Sequence, residues 1–177
     1  MTLSGKDRQS QLYRECADGY GATIARIARG YERDDGLRAD LEQEIHLALW
    51  RSLAGFEGRC ALSTWVYRIA HNVAASHVDK ARRSAPLTTL DDLCESELQD
   101  HLAGPREELD EARALDRLYA LVHRMKLPDR QIMLLYLEGL TGQQISEITG
   151  LSPGNISVRI HRVKQVLRQQ FESGEPT

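Results

Sequence analysis

Apolar residues in this chain recur at intervals of three and four and scarcely ever alternate, and that periodicity leaves few folds open. Leu12, Cys16, Tyr20, Ile24 and Ile27 share one helical face, and Leu37, Leu41, Ile45 and Leu49 follow at steps of four. Leu62, Trp65, Val66, Ile69, Val73 and Val78 form a third stripe, and Leu115, Leu118, Leu121, Val122 and Met125 a fourth. No run of four or more residues alternates with the β-branched and aromatic enrichment of a strand. The spacing predicts an all-α protein.

Prolines and charge divide the chain. Pro86 and Pro105 bracket a stretch that holds Asp91, Asp92, Glu95, Glu97 and Asp100 and has little apolar periodicity. Residues 84–106 carry five acids against one base, the composition of a flexible acidic linker. Two small helical domains are expected on either side, at 10–83 and 107–171, which suits a length of 177 residues. The net charge of −3 conceals a sorting by segment. Residues 31–57 hold seven acids against three bases, whereas 58–83 hold five bases against one acid. Pro128, after Leu127 and before Asp129, marks a helix break and restart.

Several classes are disfavoured. No apolar run approaches the ~18–20 residues of a membrane span, so no membrane insertion is expected. The first eight residues have no apolar stretch behind their charges, unlike a secretory signal. Cys16, Cys60 and Cys94 are scattered and form no CxxC pair, which argues against a disulfide framework or a structural zinc and for a reducing, cytoplasmic setting. The histidines at 46, 71, 77, 101, 123 and 161 lack metal-ligand spacing and are expected on the surface or along helices. No nucleophile–base constellation or phosphate-cradling glycine loop is present, so neither enzymatic chemistry nor a cofactor is expected.

The most specific local pattern runs from Leu140 to Phe171. Thr141 can cap a short helix with Ile145 and Ile148 inward, Gly150 supplies the positive φ that closes it, and Leu151 fills the corner. Ser152 can then cap a second helix with Pro153 at its first position. Ile156, Ile160, Val163 and Leu167 are spaced for burial, and Asn155, Ser157, Arg159, Arg162, Lys164 and Arg168 occupy the other face. Residues 152–170 contain four bases and no acid. This is a helix-turn-helix pattern. Asn155 and Arg159 suit base edges, and Lys164 and Arg168 suit phosphates.

The first module adds a second pattern: Asp40-Leu41-Glu42-Gln43-Glu44-Ile45, then Phe56-Glu57-Gly58-Arg59, then Ser63-Thr64-Trp65-Val66-Tyr67-Arg68-Ile69-Ala70-His71-Asn72, closed by Lys80-Ala81-Arg82-Arg83. In this combination and order the chain resembles the bacterial RNA polymerase sigma factors of the extracytoplasmic-function (ECF) group, which retain only the second and fourth conserved regions. The resemblance covers nearly everything outside the linker. It implies an initiation factor that binds core RNA polymerase and promoter DNA, duplex and single-stranded, and that is commonly held by an anti-sigma factor. By resemblance, Asp40, Gln43 and Glu44 dock on the polymerase clamp, and the loop from Phe56 through Arg59 to Thr64 captures an unpaired base of the minus-ten element. Asn72 helps line that pocket, and Trp65 and Tyr67 lie on the melting helix. The terminal helix-turn-helix reads the minus-thirty-five element. Arg59 and Cys60 stand where the family has acidic or small polar residues.

Elementary physics fits these roles. An acidic helix face complements a basic partner, and melting favours aromatic faces beside positive charge, here Trp65, Tyr67, Arg68, Lys80, Arg82 and Arg83. Trp65 shares a stripe with Ile69 and suits a core position equally well, whereas Tyr67 and Arg68 are expected to be exposed. A one-component helix-turn-helix regulator is the alternative, which binding to core polymerase would separate from an initiation factor.

Overall fold

The computed structural model describes residues 5–84 and 108–172. Seven helices and their connections account for these residues: α1 (Gly5–Tyr31), α2 (Asp35–Leu53), α3 (Leu62–Ser84), α4 (Glu108–His123), α5 (Leu127–Leu137), α6 (Gly142–Thr149) and α7 (Pro153–Glu172). No strand occurs among them. The acidic stretch expected as a linker lies outside the described residues.

α1, α2 and α3 pack on one another along the stripes read from the sequence. Cys16, Ile24, Ile27, Leu41, Ile45, Leu49, Val66, Ala70 and Ala74 are buried between them. Each large aliphatic side chain removed from water contributes about 1.5–3 kcal/mol. Burial, assisted by nearby Glu15, pushes the Cys16 thiol up to about 11, so it is a packing residue rather than a nucleophile. The turn into α2 is fixed twice. The Asp34 carboxylate accepts from the Leu37 amide at 2.9 Å, and Glu32 accepts from the amides of Arg33 and Asp34.

α4 to α7 enclose a second group of buried side chains, among them Val122, Ile132, Met133, Leu135, Ile145, Ile148, Ile156 and Val163. Pro128 lies in the first turn of α5, where its missing amide hydrogen costs nothing. The buried guanidinium of Arg130 donates to the carbonyls of His123 and Met125 and so satisfies the C-terminal end of α4.

The two helical groups also touch. Gly30 lies so near Leu134 that a Cβ there would meet its methyls at 2.6 Å. Arg26 donates to both oxygens of Glu138, at 2.6 and 2.7 Å. Arg29 pairs with Asp116 at 2.6 Å, and His123 Nε2 donates to the Arg29 carbonyl at 2.8 Å. Arg68 Nη2 reaches the Glu147 carbonyl at 2.6 Å.

Candidate nucleic-acid interface

α6 and α7 meet through a turn held by local hydrogen bonds. Thr141 accepts from the Gln144 amide, and Gln144 Oε1 accepts in return from the Thr141 amide, a reciprocal cap. Gly150 adopts φ 74° and donates to the Ser146 carbonyl. Ser146 Oγ then donates to the Leu151 carbonyl at 2.7 Å, and Ser152 Oγ accepts from the Asn155 amide at 3.4 Å. With the turn fixed, Ile156 and Val163 are buried and Ile160 and Leu167 half-buried. The outward face therefore consists of Asn155, Ser157, Val158, His161, Arg162, Lys164, Gln165 and Arg168, all exposed, as is Ser152 at the cap.

The basic side chains on this face are partly committed. Asp129, from the start of α5, accepts from Arg159 Nη1 at 2.7 Å and from Arg162 Nη2 at 2.8 Å. Arg159 Nε also donates to Asn155 Oδ1 at 2.6 Å. One carboxylate thus gathers the arginines of successive turns and pre-orders their forks. The Lys164 ammonium lies 4.3 Å from the centre of the Tyr136 ring. Sequence reasoning missed two participants. Asp129 is thirty residues from its partners and carries no local signal. Val158, 69% exposed, falls on the stripe of Asn155, Arg162 and Gln165, and the helical period alone could have found it.

The first module corrects two expectations and decides a third. Tyr67 is buried at 9% exposure and packs edge-on against Tyr20; burial raises its hydroxyl's pKa. It is not the exposed aromatic expected, because α1 covers that side of α3. Trp65 is half-buried, edge-on to Phe56 at 5.3 Å, and its Nε1 donates to Ser52 Oγ at 3.0 Å. Phe56 and Trp65 therefore hold the α2–α3 loop in place. Arg59 in that loop is exposed and paired with Glu57. Arg68, also expected to be exposed, is half-buried, because α6 lies against it and takes its hydrogen bond.

Asn72, Lys80, Arg82 and Arg83 are exposed along α3. Asn72 and Lys80 line a shallow cavity of about 300 Å³ with Glu44, Val73, Ser76 and His77. Asp40, Gln43 and Glu44 are exposed on α2. Leu37 and Leu47, half exposed, stand three residues to either side of Asp40 and Glu44, so the acidic face has apolar ends.

His71 lies along α3, one of the two settings expected for the histidines, but it faces inward. It is fully buried, its Nδ1 lies 3.0 Å from the Tyr31 hydroxyl, and its Nε2 is buried without a hydrogen-bond partner among the described residues. Burial pushes its pKa down to about 3. The tertiary contact of α1 with α3 covers this turn, which periodicity alone did not reveal. Among the described residues no group of three His, Cys, Asp or Glu side chains could hold a metal ion, and no helix is long and apolar enough to cross a membrane.

Two family models match the chain: Sigma-70 region 2 over residues 17–84 and Sigma-70, region 4 over residues 115–167. The RNA polymerase sigma-H factor of Pseudomonas aeruginosa is 30% identical over 139 residues, which cover 75% of this chain and 72% of that protein. The ECF RNA polymerase sigma-E factor of Haemophilus influenzae is 28% identical, with 75% and 74% covered. The "Probable RNA polymerase sigma factor RfaY" of Xanthomonas campestris pv. campestris is 28% identical over 88% of this chain, which spans only 41% of that relative. A structure of CnrH in complex with the cytosolic domain of CnrY superposes with a TM-score of 0.68 over 96% of this chain and 98% of that one, at 15% identity, a likeness of fold.

Proposed function

The chain belongs to the ECF group of RNA polymerase sigma factors, and from that premise we propose how its surfaces divide the work of promoter recognition. Sigma factors are non-enzymatic initiation factors, so the task is binding and DNA opening in partnership with core polymerase. Residues 10–83 serve as the module that docks on polymerase and handles the minus-ten element. Residues 107–171 read the minus-thirty-five element, and 84–106 tether the two. Asp40, Gln43 and Glu44 present negative charge to the core enzyme. Asn72 and Lys80 offer polar groups to an unpaired base at the cavity between α2 and α3, with Arg82 and Arg83 following the backbone. The work is done wherever core polymerase is, in the cytoplasm.

Phe56, Trp65 and Tyr67 act indirectly, by fixing the loop and helix that carry the exposed groups. Ser152, Asn155, Ser157, Arg159, Arg162, Lys164 and Arg168 form the duplex-reading set, with the two Asp129-bound arginines held ready for base or phosphate. A protein inhibitor of the anti-sigma type is the further partner. CnrH, of like fold, is described in complex with the cytosolic domain of CnrY, and that complex supports the reading.

The observation that carries the proposal is that residues 152–170, which supply the basic outward face of α7 on a locally capped turn, contain no acid. Four phosphate neutralisations would give a salt slope of about −3.6, too little for tight binding by one helix-turn-helix alone. Joined to core polymerase, each module raises the other's effective concentration on DNA. The test is a gel shift of a promoter fragment with protein alone, core alone and both. A specific shift and a transcript are expected with both together. Tight, specific binding by the protein alone would instead mark a stand-alone regulator.

A further inference from the structure

Val158 is the most exposed of the large hydrophobic side chains among the described residues, at 69%. It lies in the middle of the outward stripe of α7, three residues after Asn155 and four before Arg162. Three of its polar neighbours are already engaged. Asn155 Oδ1 accepts from Arg159, and Arg159 and Arg162 are drawn to Asp129 on α5. An isopropyl group is thus presented among side chains whose positions are set.

The surrounding charge says what kind of surface meets it. Residues 152–170 contain four bases and no acid, so the complementary partner is a polyanion that also offers an apolar point. In the major groove of duplex DNA the apolar feature of a base pair is the thymine C5 methyl. A β-branched side chain near the N-terminal end of a recognition helix is of the size to cover it, and χ1 stiffness means little entropy is lost on contact.

We infer that Val158 is a specificity-determining residue that reads the C5 methyl of one thymine in the duplex contacted by α7. The inference rests on the proposed function, since it requires α7 to lie in a promoter's major groove. Burying one methyl against the valine corresponds to about a fourfold gain in affinity.

The test uses the full chain assembled with core polymerase. Promoter duplexes with a randomised minus-thirty-five segment are selected for binding, and each thymine in the preferred sequence is then replaced singly by deoxyuridine. For the natural chain, one position should lose about fourfold on removal of the methyl. Val158→Ser should bind the thymine and uracil forms of that position equally, at close to the natural chain's affinity for the uracil form. Circular dichroism serves as the folding control, and the exposed site should tolerate the change.

If no position responds to loss of the methyl, or Val158→Ser keeps the same discrimination, the inference is overturned while the proposed function stands. Weaker binding by Val158→Ser to every sequence alike would also overturn it and assign the valine to a protein contact. If the assembly selects no sequence at all, the proposed function fails and the inference with it.

Discussion

His71 shows most directly what a single buried polar side chain does to this protein. Its pKa, pushed down by burial to about 3, lies well under the ordinary histidine value. Above pH 6.5 folded and unfolded chains both hold it neutral, and it contributes no pH dependence. Below that, the unfolded chain binds a proton that the folded chain refuses, so stability falls as pH falls. At about 1.4 kcal/mol per pH unit, moving from pH 7 to 5 should cost about 2 kcal/mol through this residue. His123, pushed down to about 4 chiefly by burial, acts in the same direction. Denaturant unfolding at the two pH values should show the loss. His71→Asn keeps an acceptor for the Tyr31 hydroxyl and removes the titration. It should be less stable at pH 7, because the smaller amide leaves part of the imidazole's volume empty, yet lose less between pH 7 and 5. An unchanged pH dependence would mean that His71 is not the group responsible.

At the scale of one helix, α2 carries two kinds of surface. Its inner side, Leu41, Ile45, Leu49 and Leu53, is buried in the first module. Its outer side places Asp40 and Glu44 between Leu37 and Leu47 along one exposed stripe. In the proposed docking, acids there would steer approach to a basic partner and the leucines would supply apolar area once contact is made. Asp40→Ala with Glu44→Ala should weaken binding to core polymerase by about tenfold or more, if the pairs are close and desolvated in the complex. Leu47→Ala should lower affinity with less effect on the salt dependence. Titration against core polymerase at two salt concentrations distinguishes the charge effect from the apolar one. Equal affinity for all three proteins would remove α2 from the docking surface. None of these side chains is buried, so circular dichroism should show the fold intact.

For the whole molecule, the contact between the helical groups is the feature with the widest consequence. Arg26 and Glu138 form a bidentate pair that also includes the Thr23 hydroxyl, and Gly30 permits Leu134 to approach α1. Elements centred near −10 and −35 are separated by ~25 base pairs, or ~85 Å at ~3.4 Å each. On the proposed division of labour, in which each module holds one element, α1 is expected to part from α5 before both elements are held. Glu138→Ala removes the acceptor of the pair, and Gly30→Val places methyls where Leu134 now lies. Both should enlarge the radius of gyration of the free protein in small-angle scattering and strengthen its binding to core polymerase. Unchanged scattering from both variants would show that these contacts do not hold the modules together.

The helices, the capped turn and the sorting of charge are legible in the residue pattern, because each of these depends on residues within a few positions of one another. The spacing of Ile145, Ile148, Ile156 and Val163 placed the buried face of the helix-turn-helix, and Thr141 and Gly150 fixed its ends. The exposed acids of α2 and bases of α7 were legible in the same way. Which neighbour covers a given face is settled by the packing of distant helices. α1 buries Tyr67 and His71, Ser52 takes the Trp65 hydrogen bond, Asp129 gathers Arg159 and Arg162, and Glu138 holds Arg26 across 112 residues. Periodicity reports that a face exists. Its partner is set by how whole helices pack, and no local pattern carries that information.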